Sequence, residues 1–229
     1  MRTVVLSGSL GATSEMWDAQ VKALSGFDVV RVEHPGHDGA PMEDVRDVRG
    51  LARRVLDAVE AERFSFVGLS LGGAIGMQLA LEAPARIERL VLAATSVRFG
   101  TAETWDERIA LVRRAGMEAV ADAVLPRWFT PVFDDVQRFR RMLVSTPPEV
   151  YVRYCEILRE YDVRGRIGDI PARTLAIAGA EDPTSPPEHL EAIAAEIADA
   201  HVVVIPNGAH LVNVERADEF NDALLAHLA

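Results

Sequence analysis

Six short β-rich runs are spaced along the chain, and longer helical periods separate several of them. The runs are Val4-Val5-Leu6, Val29-Val30-Arg31-Val32, Phe64-Ser65-Phe66-Val67-Gly68, Leu90-Val91-Leu92, Thr174-Leu175-Ala176-Ile177-Ala178 and Val202-Val203-Val204-Ile205. Compact apolar runs bounded by Gly, Pro or small polar residues suit strands covered on both faces by helices. Val48, Leu51, Val55, Leu56 and Val59 then fall on one helical face, as do Ala74, Met77, Gln78 and Leu81 after the third run. Alternation of this kind predicts an α/β fold with a doubly wound, mostly parallel sheet.

The alternation breaks between about Arg98 and Gly168. There Ile109, Val112, Met117, Val120, Tyr151, Tyr154, Ile157 and Leu158 recur at helix-like spacings, and Pro126, Pro131 and Pro147-Pro148 divide the stretch into about four helices. An all-helical insert before the penultimate strand predicts a lid over a site at the strands' carboxyl ends. The alternative is further helices packed on the sheet. The expected division is a core of residues 1–97 and 169–229 with a lid of residues 98–168.

Composition narrows the function classes. Of 229 residues, 49% are hydrophobic, enough for a sizeable core and against disorder. The net charge of −11 repels phosphate backbones and anionic lipid, so neither nucleic acid nor a membrane is an expected partner. Cys155 is alone, which rules out an intramolecular disulfide and a multi-thiolate metal site. No apolar run nears the roughly 20 residues of a bilayer span, and the residues before Ser7-Gly8-Ser9 are too few for a secretory core. A reduced, cytoplasmic protein is expected.

The sharpest motif is Gly68-Leu69-Ser70-Leu71-Gly72-Gly73, directly after one expected strand and directly before an expected helix. That is the context a nucleophile elbow requires: a strained turn lifts the serine hydroxyl to the top of the sheet, and the helix N-terminus lends partial positive charge. A serine hydroxyl needs a base, and the base needs an acid to orient it. In the chain order serine, acid, histidine, His210 in the loop Pro206-Asn207-Gly208-Ala209-His210 is the expected base. His34 and His37 precede Ser70; His189 sits in a helical run, His201 opens a strand and His227 is in the tail. Asp182 in Gly179-Ala180-Glu181-Asp182-Pro183 is the expected acid, with Glu181 its competitor. The oxyanion should meet the backbone N–H of Leu71 and one from the loop Ser7-Gly8-Ser9-Leu10-Gly11, where Leu10 is preferred and Ser9 remains open. That loop lacks both nucleotide-binding glycine patterns.

With these residues in place, the chain resembles the α/β-hydrolase family over nearly its full length, and within it the 3-oxoadipate enol-lactonases. The narrower resemblance rests on Ser9-Leu10-Gly11 with Trp17, on the elbow, and on the lid stretches Trp105-Asp106-Glu107-Arg108-Ile109 and Arg127-Trp128-Phe129-Thr130-Pro131. It also rests on Gly179 to Leu190 and on Ala209-His210-Leu211-Val212-Asn213-Val214-Glu215. The resemblance implies an α/β-hydrolase fold and a serine hydrolase that opens 3-oxoadipate enol-lactone through an acyl-enzyme. It implies no metal or organic cofactor. The family's substrate carries a carboxylate, so Arg108 and Arg127, beside Trp105 and Trp128, are the expected substrate-binding residues. The chain starts at the strand that is usually third, so a sheet of about six strands is expected, with a shortened flank suited to self-association. Alternatives on the same fold are a carboxylesterase, a carbon–carbon bond hydrolase or a perhydrolase; from another class, a non-catalytic ligand-binding receptor.

Overall fold

In the computed structural model, which describes residues 1–229, all six runs are strands of one sheet. They are β1 (Thr3–Ser7), β2 (Asp28–Val32), β3 (Phe64–Leu69), β4 (Ile87–Ala93), β5 (Thr174–Gly179) and β6 (Ala200–Ile205). The order is β2-β1-β3-β4-β5-β6, and every neighbouring pair is parallel, so the sheet expected as mostly parallel is wholly so. From β1 the chain steps outward to β2 and then returns to β3. The order therefore reverses between β1 and β3, and a crevice opens beyond the carboxyl ends of strands at such a point. The loop after β1 and the turn after β3 flank that crevice.

The helices are α1 (Asp18–Ala23), α2 (Val48–Ala58), α3 (Leu71–Glu82), α4 (Ala102–Trp128), α5 (Val136–Ser145), α6 (Pro148–Glu160), α7 (Pro187–Glu196), α8 (Val212–Glu215) and α9 (Ala217–Leu228). Strands β1, β3 and β5 are buried along their whole length, whereas the edge strands β2 and β6 are partly open. Helix α3 is buried from Leu71 to Ala80 and lies on β1, β3 and β4. Its outer side is covered by α2, whose buried face is Val48, Leu51, Ala52 and Val55. Helix α7 rests on β5 and β6, and α9 on β4, β5 and β6 with α1 against it. No helix is long and apolar enough to cross a membrane.

Helices α4, α5 and α6 form the insert between β4 and β5. Thr101 caps α4: its hydroxyl accepts from the Thr104 N–H while the Thr104 hydroxyl accepts from the Thr101 N–H. Pro126, expected to end a helix, does not. Residues 122 and 126 are both exposed, so the carbonyl that Pro126 cannot serve is open to water, and α4 runs on to Trp128. The break comes instead at Gly116, where φ of 72° interrupts the helix at a residue whose missing side chain would meet nothing. One cluster of 67 buried hydrophobic residues runs through sheet, helices and insert alike, so the insert shares the main core.

Candidate active site

Between the last residue of β3 and the first of α3 stands Ser70 alone, with φ 58° and ψ −112°. A residue with a side chain adopts such angles only when its surroundings over-determine them. Here the Ser70 N–H donates to the Ala93 carbonyl (2.9 Å), the Thr95 hydroxyl donates to the Ser70 carbonyl (2.8 Å), and the Gly72 N–H donates to the Gly8 carbonyl (3.0 Å). A Cβ on Gly72 would collide with the Ser7 carbonyl, and one on Gly68 with the Gly72 carbonyl. The motif's glycines are thus required by the close approach of three backbone segments.

The loop after β5 supplies Asp182 and the loop after β6 supplies His210; both side chains are buried. His210 Nδ1 lies 2.8 Å from Asp182 Oδ2, while Asp182 Oδ1 accepts the N–H groups of Thr184 (2.7 Å) and Ser185 (3.1 Å). Burial pushes the Asp182 carboxyl upward, but the His210 ring and these two amides outweigh it and hold it below the usual aspartate range. Asp182 is therefore the carboxylate joined to His210, and Glu181 is exposed. Ser70 and His210 line the same pocket without a direct hydrogen bond, a contact that in free hydrolases commonly tightens only around substrate.

Backbone donors stand at the crevice. The amides of Ser9, Leu10 and Leu71 have no acceptor in the protein, although the neighbouring Gly72 and Ala74 amides do. Two histidines set aside by chain order brace the Ser9-Leu10 loop. His34 Nε2–H donates to the Gly8 carbonyl (3.1 Å), and the Gly11 N–H donates to His37 Nε2 (3.3 Å). Both rings are buried against Tyr154 of α6, whose hydroxyl donates to the Pro35 carbonyl (3.1 Å). Burial lowers His34 to about 4 and His37 to about 3, so both rings are neutral at pH 7.

The pocket measures about 230 Å³ and lies between the strand ends and the insert. All four expected insert residues line it: Trp105, Arg108, Arg127 and Trp128. Trp105 Nε1 donates to the Phe99 carbonyl (2.7 Å), and Trp128 is buried, so both indoles are wall as well as packing. Arg108 Nη1 donates to the Tyr151 hydroxyl (3.2 Å). Burial raises that phenol to about 12, and its own proton finds no acceptor in the protein. Sequence reasoning missed Tyr151, Arg98 and His189 as pocket residues. Arg98 had a cue, since it follows β4 at its carboxyl end; nothing marked the other two. No Asp or Glu lines the pocket. Outside it, Arg159 pairs with Asp106 and Arg140 with Glu118 and Asp122, whereas Arg98, Arg108 and Arg127 pair with no carboxylate.

A parallel sheet, a strained serine after its third strand, a buried acid–histidine pair on later loops and a helical insert over the same crevice define the class: an α/β hydrolase. The model described as "Alpha/beta hydrolase family" matches residues 4–223, and the chain belongs to that family. It is 31% identical to 3-oxoadipate enol-lactonase 2 of Acinetobacter baylyi, over 97% of this chain and 87% of that one. It is also 31% identical to RutD of Variovorax paradoxus, provisionally a carbamate hydrolase, over 99% of this chain and 91% of that one. Among solved structures, the enol-lactonase from Burkholderia xenovorans LB400 superposes with a TM-score of 0.95 at 36% identity, over 99% of this chain and 91% of that one.

Proposed function

We propose that the protein is a serine hydrolase that opens the ring of 3-oxoadipate enol-lactone. The observation that carries this reading is the charge of the pocket. In a chain of net charge −11, the cavity beside Ser70 holds three arginines without acidic partners and no carboxylate. Such a cavity suits a small anion: an entering carboxylate would be costly to leave unpaired, half-buried Arg108 can meet it, and Arg98 and Arg127 add positive charge from exposed positions at the rim. Similarity to enol-lactonases supports the lactone part of the assignment.

In this mechanism Ser70 Oγ attacks the lactone carbonyl carbon and passes its proton to His210 Nε2. Asp182 fixes the ring with its proton on Nδ1 and stabilises the imidazolium. The Leu71 amide, with that of Leu10, receives the developing oxyanion, each donor contributing on the order of 3 kcal/mol to the barrier reduction. The ring C–O bond then breaks, and the enol oxygen leaves with the proton from His210, still tethered to the acyl group. That enol tautomerises to the ketone. Water gives a proton to His210 and attacks the acyl carbon; the bond to Ser70 Oγ breaks, Ser70 takes the proton back from His210, and the second carboxyl group is released as the acid, which ionises to solvent. Arg108, with Arg98 and Arg127, holds the carboxylate already present in the lactone, while Trp105 and Trp128 supply the apolar wall. The helical insert, residues 98–168 in this reading, acts as the lid.

Loss of the enol-lactone, followed in the ultraviolet, tests the reading against Ser70→Ala. Wild-type turnover that is abolished in the variant is expected; turnover that persists in Ser70→Ala would refute the covalent route. Faster hydrolysis of a neutral nitrophenyl ester than of the lactone would move the assignment to a carboxylesterase. The likeness to RutD favours one second reading, cleavage of a small anionic carbamate by the same residues, and a carbamate substrate belongs in the same assay.

A further inference from the structure

Glu215, at the end of α8, is part-buried, and no cation pairs with it. Three protein donors converge on its carboxylate instead. Oε2 accepts the Ala209 N–H (2.9 Å), the residue before His210; Oε1 accepts the Thr130 N–H (2.9 Å) and the Thr130 hydroxyl, two residues beyond the end of α4. Two backbone bonds close the same seam: the His210 N–H donates to the Arg127 carbonyl (3.4 Å) and the Leu211 N–H to the Trp128 carbonyl (2.9 Å). The segments joined here are far apart in sequence, and each presents residues to the pocket, His210 on one side and Arg127 with Trp128 on the other.

We infer that Glu215 is a positioning residue that clamps the His210 loop to the end of α4, so that one carboxylate, beside the two backbone bonds, helps set both the base and one wall of the pocket. This rests on His210 acting as the base for Ser70. Hydrogen bonds to an ionised acceptor are roughly twice as strong as neutral ones, and a carboxylate offers an acceptor on both arms. A glutamine of the same shape has one acceptor arm only; its amide would confront either the Ala209 or the Thr130 N–H with another donor. A displacement of the imidazole by about 1 Å is enough to cost roughly a hundredfold in rate.

The test uses phosphonylation of Ser70 by a fluorophosphonate probe, which needs the base and no knowledge of the substrate. The maximal labelling rate and the half-saturating probe concentration are measured separately, with thermal midpoints recorded for each variant. Glu215→Gln is expected to lower the maximal rate roughly ten- to a hundredfold with little change in half-saturation. Thr130→Val, which removes only the hydroxyl from the wall side, is expected to lower it less than threefold, and the double variant to fall no further than Glu215→Gln alone. If Glu215→Gln labels at the wild-type rate while His210→Ala does not label, the clamp is refuted and the base stands. A rate loss in Glu215→Gln that disappears when assayed well below its midpoint likewise overturns the inference. If His210→Ala labels as fast as wild type, the reading of His210 as base fails, and the clamp fails with it.

Discussion

Asp182 reaches His210 through one carboxylate oxygen while its other oxygen is occupied by two loop amides. The carboxylate therefore cannot rotate without breaking the Thr184 and Ser185 bonds, and the proton on His210 is held at Nδ1. Asp182→Asn keeps the shape but can present an N–H to Nδ1, which favours the tautomer with Nε2 protonated and unable to accept from Ser70. Turnover is expected to fall about 10⁴-fold with the fold intact, read as kcat beside an unchanged circular dichroism spectrum.

On the proposed reading, Arg108 meets the charge of the substrate. It is half-buried, bonded only to the neutral Tyr151 hydroxyl, and has no acid to neutralise it. Arg108→Gln should raise KM for the anionic lactone about 10- to 100-fold, the range of one charge-assisted hydrogen bond. A neutral nitrophenyl ester should be affected less than about threefold. Equal losses on both substrates would place Arg108 in packing rather than recognition.

Two buried histidines make stability depend on pH. The folded values of His34 and His37, about 4 and about 3, lie below the ordinary histidine value near 6.5, so the unfolded chain takes up protons first as the pH falls. The stability they contribute is complete above about pH 6.5 and is lost as the pH falls toward 4 and 3. Between pH 7 and pH 5 each ring should cost about 2 kcal/mol, measured by urea unfolding. His37→Gln, whose amide oxygen can still accept the Gly11 N–H, should flatten that slope by about one ring's share.

Backbone contact at the elbow gives a stability test. A methyl on Gly72 has no room against the Ser7 carbonyl, and neither segment is a flexible side-chain end. Gly72→Ala should cost about 3 kcal/mol or more and lower the thermal midpoint by about 6–12 °C or more. Gly116→Ala, at an open site whose φ of 72° and ψ of −174° are essentially reserved for glycine, should cost about 1–3 kcal/mol with no collision at all, so comparison of the two separates collision from conformational strain.

Much of this architecture was legible because it is local. Each strand is a compact apolar run, and Ser70, Asp182 and His210 each stand in the turn or loop that follows a strand, beside Gly68, Gly179 and Pro206-Asn207-Gly208 respectively. Their convergence follows from strand order alone once the sheet is parallel. What was not legible depends on distant pieces meeting. Tyr151 reaches the pocket from α6 and His189 from α7, on helices whose periodicity gives no sign of a cavity. His34 and His37 look dispensable by chain order, yet they brace the loop opposite the elbow. Pro126 misled because a proline in the last exposed turn of a helix removes a bond that water replaces, whereas Gly116 broke the helix with no neighbouring punctuation.

Strands β4 and β5 are hydrogen-bonded neighbours, yet residues 94–173 run between them in the chain. Leu10, Ser70, Asp182 and His210 all lie outside that stretch, while Arg98, Arg108, Arg127 and Tyr151 lie within it. The candidate reacting groups and the pocket's arginines thus come from separate stretches of chain, yet Tyr154 bonds the insert to the Pro35 loop and Thr130 bonds it, through Glu215, to the His210 loop. Descendants of this chain could acquire a different diet by rewriting that one uninterrupted segment, provided those two seams were kept.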